Sequence, residues 1–225
     1  MQSEQRSSHL SSRSPASAWL SAQLPNSVKL ELERSAHRFE TFSPKINRRL
    51  TFYRRCALDQ WILIESDPEI RTFCERPGFV QFRDQPCLAD SWVSYADRQE
   101  LVILPTPLVD VDAEPATLED GIAIRVVQTA QLTASRVWID NWRRMLPSIV
   151  TTRRLLQQSL LHAIHQFTAT PRQLQSIEQE FSGVDQALVR ASVFWLLHAG
   201  LVRAPQLRTD TLSSSTLFEA MEGCS

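Results

Sequence analysis

The side chains able to do chemistry are unevenly spread along the chain. Residues 56–120 hold fourteen Asp and Glu against four Arg and no Lys. Among those acids, Asp90 heads an apolar-rich segment, Ser91–Tyr95, that reads as a strand. Carboxylates in such a place hold Mg²⁺, which takes hard oxygen ligands, but a single one binds it weakly. An amine beside the metal would help activate a water, yet the only lysines are Lys29 and Lys45, so nothing from Ile46 onward supplies one. Arg98 stays protonated and is no base. Asp90 therefore reads either as a relic metal ligand or as a strand-end residue. The run Asp110-Val111-Asp112-Ala113-Glu114 lacks the Gly and terminal Glu of a calcium loop and reads as a solvated linker. Cys56, Cys74, Cys87 and Cys224 form no CxxC pair and no Cys/His cluster, which argues against zinc. His162 and His165 stand one turn apart without a third ligand, and with His198 they read as helix-surface residues. The Ser-rich stretch Thr211–Thr216 has no recognisable His or Asp partner for a nucleophile.

The elements that must position Asp90 follow from periodicity. From Phe52 to Ile64 the apolar residues Ala57, Trp61 and Ile64 recur at helical spacing, and Asp67-Pro68 stops the helix. Short strands are expected at Ile70–Cys74 and Phe79–Phe82, separated by an Arg76-Pro77-Gly78 turn and followed by a polar turn at Arg83–Gln85. Ser91–Tyr95 and Glu100–Leu104 flank Ala96–Gln99 as a hairpin, and the unbroken apolar run Leu101–Leu104 suits a central strand buried on both faces. Residues 105–120 are acidic and Pro-containing and read as a loop, Ile122–Val127 as a further strand, and Gln131–Leu146 as a helix with Val137, Trp138, Asn141, Trp142 and Met145 along one side.

The last third reads as helical. Thr152–Phe167 is amphipathic. Thr170-Pro171 looks like a cap and first position of a helix ending at Phe181. A third helix, Asp185–Ala199, ends on Gly200, with Val184, Leu188, Ala191 and Trp195 on its core face beside Ala187 and Phe194. Leu201–Leu207 and Leu212–Phe218 suggest a hairpin. Three helices and a hairpin is the order of a winged helix. On that frame Gln186 and Arg190 point outward from the third helix, Arg203 and Arg208 lie on the wing, and Arg172 begins the second helix, so these five are the candidate DNA contacts. Because residues 151–225 hold six basic and six acidic residues, protein contact is the competing use of this region.

With 225 residues, 43% of them hydrophobic, the chain has material for one large or two small cores. Its net charge of −1 hides a basic leading arm: residues 1–55 carry ten Arg and Lys against four acids. Such an arm serves equally as a nucleic-acid contact or a solubilising tail. The Ser- and Gln-rich residues 1–27 read as a flexible tail with a short helix around Ala18–Leu24. Without a secretory h-region or a membrane-length apolar run, and with scattered thiols, a cytoplasmic protein that does not enter a membrane is expected.

Several segments together resemble the TnsA-type endonuclease subunit of heteromeric cut-and-paste transposases. Ser43-Pro44-Lys45-Ile46-Asn47-Arg48-Arg49 is similar to that family's leading segment, and Ile62 to Ile70 (ILIESDPEI) to its leucine-rich helix, Glu and Asp-Pro signature. Phe73-Cys74-Glu75-Arg76-Pro77 and Ala89-Asp90-Ser91 stand where the family has Glu-Gln-Pro and Pro-Asp-Phe, and Asn141 to Pro147 looks like its helix before the C-terminal winged helix. The resemblance covers roughly residues 43–218. It implies an α/β, restriction-endonuclease-like core, a mixed sheet with flanking helices, followed by an all-α, winged-helix domain. The expected division is a tail at 1–27, the core at 28–128, the helical domain at 129–218 and a tail at 219–225.

The family's metal site does not carry over. Its helix Glu falls on Ala57, its strand Asp on Asp90, and its Glu-x-Lys on Ile103 and Pro105. Asp59 is two residues from the helix position, a rotation of about 200° around the axis. The resemblance thus implies a transposition accessory subunit without nuclease activity or a cofactor, bridging DNA, a DDE-type transposase and an AAA+ ATPase regulator. One alternative is an active, Mg²⁺-dependent nuclease using Asp90, Glu100 and Asp59 or Glu65. Another is a winged-helix regulator unrelated to transposition.

Overall fold

The structure is a computed structural model that describes residues 27, 37–82, 85–104, 116–117 and 122–221. It is an α/β protein with a mixed sheet and flanking helices. An antiparallel hairpin opens it, β1 (Phe39–Ser43) on β2 (Arg48–Phe52). Periodicity alone does not signal this hairpin, because β2 opens on two adjacent arginines. Its turn is the Ser43-Pro44-Lys45 segment, which Asn47 helps close at φ 50. Helix α1 (Arg55–Glu65) follows, near the expected span.

The main sheet has the order β3-β4-β5-β7-β6. Strands β3 (Thr72–Phe82), β4 (Gln85–Ser94) and β5 (Gln99–Ile103) are antiparallel, β7 (Ala123–Val126) runs parallel to β5, and β6 (Ala116–Thr117) is antiparallel to β7. Leu101, Val102, Ile103 and Leu104 are all 0% exposed. Leu101 and Ile103 belong to one apolar cluster and Val102 and Leu104 to another, so both faces of β5 are covered as its continuous apolar run requires.

Several sequence expectations are corrected. Arg76-Pro77-Gly78 is not a turn between two strands but a β-bulge inside the single strand β3, where two residues oppose Asp90 alone. Arg76 adopts φ 46 and Gly78 φ 149, which absorbs the extra residues without reversing the chain. The 105–120 segment contributes β6, while Pro105 and the run from Asp110 to Glu114 lie outside the described residues, as do the leading tail to residue 26 and the short helix at Ala18–Leu24.

Helix Gln131–Leu146 is two helices, α2 (Thr129–Ala134) and α3 (Arg136–Thr152), broken at Ser135. Helix α4 starts at Gln158, not Thr152, and runs to Phe167. Thr170-Pro171 introduces a short strand, β8 (Arg172–Gln173), before α5 (Leu174–Glu180). Helix α6 (Gln186–His198) is buried nearly all round beyond its first turn: Val189, Ala191, Ser192, Val193, Phe194, Leu196, Leu197 and His198 are all buried, while Val184 and Ala187 are exposed. A helix apolar on every side is an interior helix.

The expected C-terminal hairpin reduces to β9 (Val202–Arg203), a 3₁₀ helix at Pro205–Arg208 and β10 (Leu217–Ala220), which runs past residue 218. Strand β10 sits between β8 and β9, antiparallel to both. The intervening segment is pinned to α3: the Asn141 amide donates to the Leu207 and Asp210 carbonyls, and its oxygen accepts from Leu212 N, each at 2.8 Å. One buried cluster runs from Leu50 in β2 through Trp61, Ile64, Trp142 and Met145 to Phe218 in β10. Among the described residues no helix is long and apolar enough to cross a membrane.

Candidate functional site

Two places on this frame hold the residues that sequence analysis marks. The first is a charged cluster where β2, β3 and β4 meet the start of α1. Ala89 and Trp92, three positions apart on β4, both belong to the apolar cluster on one sheet face. Alternation therefore slips at the bulge, and Asp90 turns toward the start of α1. There Arg54 forms an ion pair with its Oδ1, and Leu104 N donates to its Oδ2 at 2.7 Å. Burial holds the Asp90 carboxyl above its ordinary range, and it outweighs the Arg54 charge and the Leu104 amide, which pull the other way.

Beside it, Glu75 is paired with Ser91 in register and takes both terminal nitrogens of Arg48 in a fork. The Cys74 thiol beneath is pushed up to about 11 by burial. Arg76 donates to the Thr51 carbonyl at 3.1 Å and to Ser27 at 3.3 Å, and its guanidinium lies over the Tyr53 ring.

The positions to which the family resemblance points end differently. Ala57 lies on α1, packed against the larger apolar cluster. Ile103 is 0% exposed in the other cluster. The carboxylates of a relocated metal site do not meet. Asp59 is engaged by Arg55 and Arg143, Glu100 by Arg98 and Arg125, and Glu65 by groups on three elements. Among the described residues no three His, Cys, Asp or Glu side chains stand close enough to share a metal ion.

Glu65 is 0% exposed. It accepts from the Ser43 hydroxyl, from Lys45 N at 2.8 Å and against His198 Nε2 at 2.9 Å. The Lys45 ammonium turns away to the Asp67 and Ile70 carbonyls, and burial lowers its pKa despite the nearby Glu65 and Asp67 charges. His198 is thus no surface histidine: it is buried, with Trp142 edge-on at 6.0 Å and Trp195 stacked at 5.8 Å. Gly200 follows at φ 72, and a Cβ there would stand 2.7 Å from Pro68. The Ile62–Ile70 signature therefore builds the junction between α1 and the C-terminal elements.

The second place is the exposed start of α6. Gln186 Nε2 donates to Glu178 at 2.8 Å, and Arg190 pairs with the same carboxylate. The other marked arginines stand apart from these two. Arg203 pairs with Glu219, and Arg208 stacks on the Trp138 ring at 4.7 Å; both line a groove of about 620 Å³ with Asp67, Pro68, Trp138 and Gly200. Arg172 covers the Phe167 ring at 4.9 Å from across β10. Each of the five candidate DNA contacts thus has a partner inside the chain.

Sequence analysis did not single out Arg48, Arg54, Glu75 or the Glu65–His198 pair as a site. The two arginine pairs, Arg48-Arg49 and Arg54-Arg55, ahead of a carboxylate-bearing sheet are the available signal for the first three. No protein family matches the sequence, and no curated protein matches it.

Proposed function

We propose that this chain is a DNA-transposition accessory subunit similar to TnsA-type endonuclease subunits, a nuclease-like scaffold without a working metal site. It holds transposon-end DNA and docks a DDE-type transposase and an AAA+ ATPase regulator in the cytoplasm. The observation that carries this is the state of Asp90. The one acid that matches the family's metal ligands has Arg54 on one oxygen and Leu104 N on the other, with Ala57 and Ile103 where further ligands would stand. A guanidinium is a permanent cation with donors only, and it competes directly with a divalent ion for a carboxylate.

The C-terminal order α4, β8, α5, α6, β9, β10 supports a winged-helix reading, in which only the exposed first turns of α6, with Gln186 and Arg190, would reach base edges. That order also favours a second reading, a winged-helix regulator with no transposition partner. A neighbouring reading frame for a DDE-type transposase separates the two.

The deciding experiment is cleavage of supercoiled plasmid and of transposon-end duplex by the purified protein in Mg²⁺ and in Mn²⁺, with Asp90→Ala as control. No cleavage above the Asp90→Ala background is expected. Nicking that disappears in the variant would make the chain an active nuclease and overturn the scaffold.

A further inference from the structure

We infer that the charged cluster around Asp90 is a metal-independent phosphodiester site, in which Arg54, with Arg48 and Arg76 beside it, supplies the positive charge that a metal supplies in a nuclease. This rests on the nuclease-like scaffold reading and gives its charged cluster a ligand.

Three guanidinium groups, Arg48, Arg54 and Arg76, surround two carboxylates, Glu75 and Asp90, so the cluster carries one excess positive charge. The signs are also sorted by depth. The Glu75 and Asp90 side chains are 5% and 14% exposed, whereas those of Arg48 and Arg54 are 41% and 40% exposed. Solvent, and anything arriving from it, meets the guanidinium faces. Arg54 offers one terminal nitrogen to Asp90 and keeps the rest of its fork, the geometry that suits phosphate oxygens.

The backbone reinforces this. Arg76 is held at φ 46 inside the bulge, a conformation disfavoured for a side chain with a Cβ, and its buried Nε has no hydrogen-bond partner among the described residues, so it adds charge from beneath rather than a contact. Helix α1 begins at Arg55 with no side-chain cap on its first turn, so its positive end faces the same cluster. At the start of α6 the one cation, Arg190, is matched by the one carboxylate of Glu178, whereas here three guanidinium groups meet two carboxylates. A string of phosphodiesters is the anion that answers a cluster of fixed cations, and a single free phosphate would use only one of them.

The test is fluorescence anisotropy of the full chain with a fluorescein-labelled duplex of about 20 base pairs, with EDTA present, across a KCl series. Wild type is expected to bind in EDTA. Asp90→Asn releases the Arg54 fork and should tighten binding about fivefold. The pair Asp90→Asn/Arg54→Gln removes both charges together, leaves no lone buried ion, and should bind more weakly than wild type. Its slope of log K against log salt should be smaller by about one.

Arg54→Lys, which keeps the charge but loses the fork, gives a second variant if the double one melts early. It should weaken binding with the slope unchanged. Wild-type affinity and slope in the double variant, or loss of binding in EDTA, would overturn the site. If the cluster variants are silent and Gln186→Ala/Arg190→Ala abolishes binding, the cluster inference falls while a DNA-holding scaffold stands. Displacement of the duplex by inorganic phosphate at concentrations too low to act as salt would reassign the cluster to a free anion.

Discussion

Asp90 and Glu65 are two carboxylates taken largely out of water by the same fold, and they are held in different ways. Asp90 lies in a charged cluster, with a half-open arginine as its counter-ion. Glu65 lies at a sealed junction where a hydroxyl, a backbone amide and an imidazole close around it. A solvent-facing cation leaves a site able to exchange partners. Rigid groups drawn from three elements leave none, and their removal is felt as lost assembly. The motif that looks most family-specific, Ile62–Ile70, belongs to the second kind. Chemistry and architecture are thus separated by only 25 positions along the chain.

The sharpest way to break this contrast is Glu65→Ala. It strands the His198 ring, the Ser43 hydroxyl and Lys45 N, and should cost about 3–5 kcal/mol in urea unfolding. A loss no larger than that of a surface substitution would mean that the junction is not a structural hub.

Asn141→Leu comes next. It leaves the Leu207 and Asp210 carbonyls and Leu212 N without their partner, which should lower stability by about 1–3 kcal/mol. Hydrogen exchange should rise through residues 205–212 before it rises elsewhere. Uniform exchange across the chain would show that Asn141 does not pin that segment locally.

Glu178→Gln should change stability by less than about 1 kcal/mol, because its partners sit at the surface. Freed from that carboxylate, Arg190 and Gln186 should raise duplex affinity. Unchanged affinity would assign the start of α6 to protein contact.

The smallest effect concerns pH. The Asp90 carboxyl is held above its ordinary range, so folding favours its protonated form. Its contribution to stability is fully present below the usual carboxylate value of about 4 and is lost as pH rises through the raised folded-state value. Asp90→Asn, which mimics the protonated form, should therefore gain on wild type between acid and neutral pH, compared by urea midpoints. A gain toward acid instead would mean that Arg54, not burial, governs the group.

Much of the frame was legible in the sequence. Helix α1, the run Leu101–Leu104 and the end of α6 at Gly200 follow from periodicity and caps, which are local properties. What was not legible depends on contacts between distant segments. Arg76-Pro77-Gly78 carries turn chemistry, and only pairing with β4 converts it into a bulge. Strand β2 is short and opens on two arginines, and β1 supplies its reason to be a strand. His198 looks exposed on a helical wheel, yet Glu65, Trp142 and Trp195 surround it. The charged cluster was half visible: Asp90 was marked from its place in the chain, but its arginine partner lies 36 residues earlier.

The Glu65–His198 bond has a consequence for how the chain is made. Its two residues are 133 positions apart. At a synthesis rate of about 5–20 residues per second, α1 emerges from the ribosome roughly ten seconds before its imidazole exists. Through that interval the carboxylate has only Ser43 and Lys45 N of its partners, so the junction of α1 with the C-terminal elements stays unmade. Completion of the core is therefore deferred to the last third of translation. A nascent or truncated chain ending before α6 would leave Glu65 without His198 and the α3 face that α6 packs on uncovered, and would become a substrate for chaperones and proteases, which makes synthesis through α6 a checkpoint on the amount of protein that accumulates.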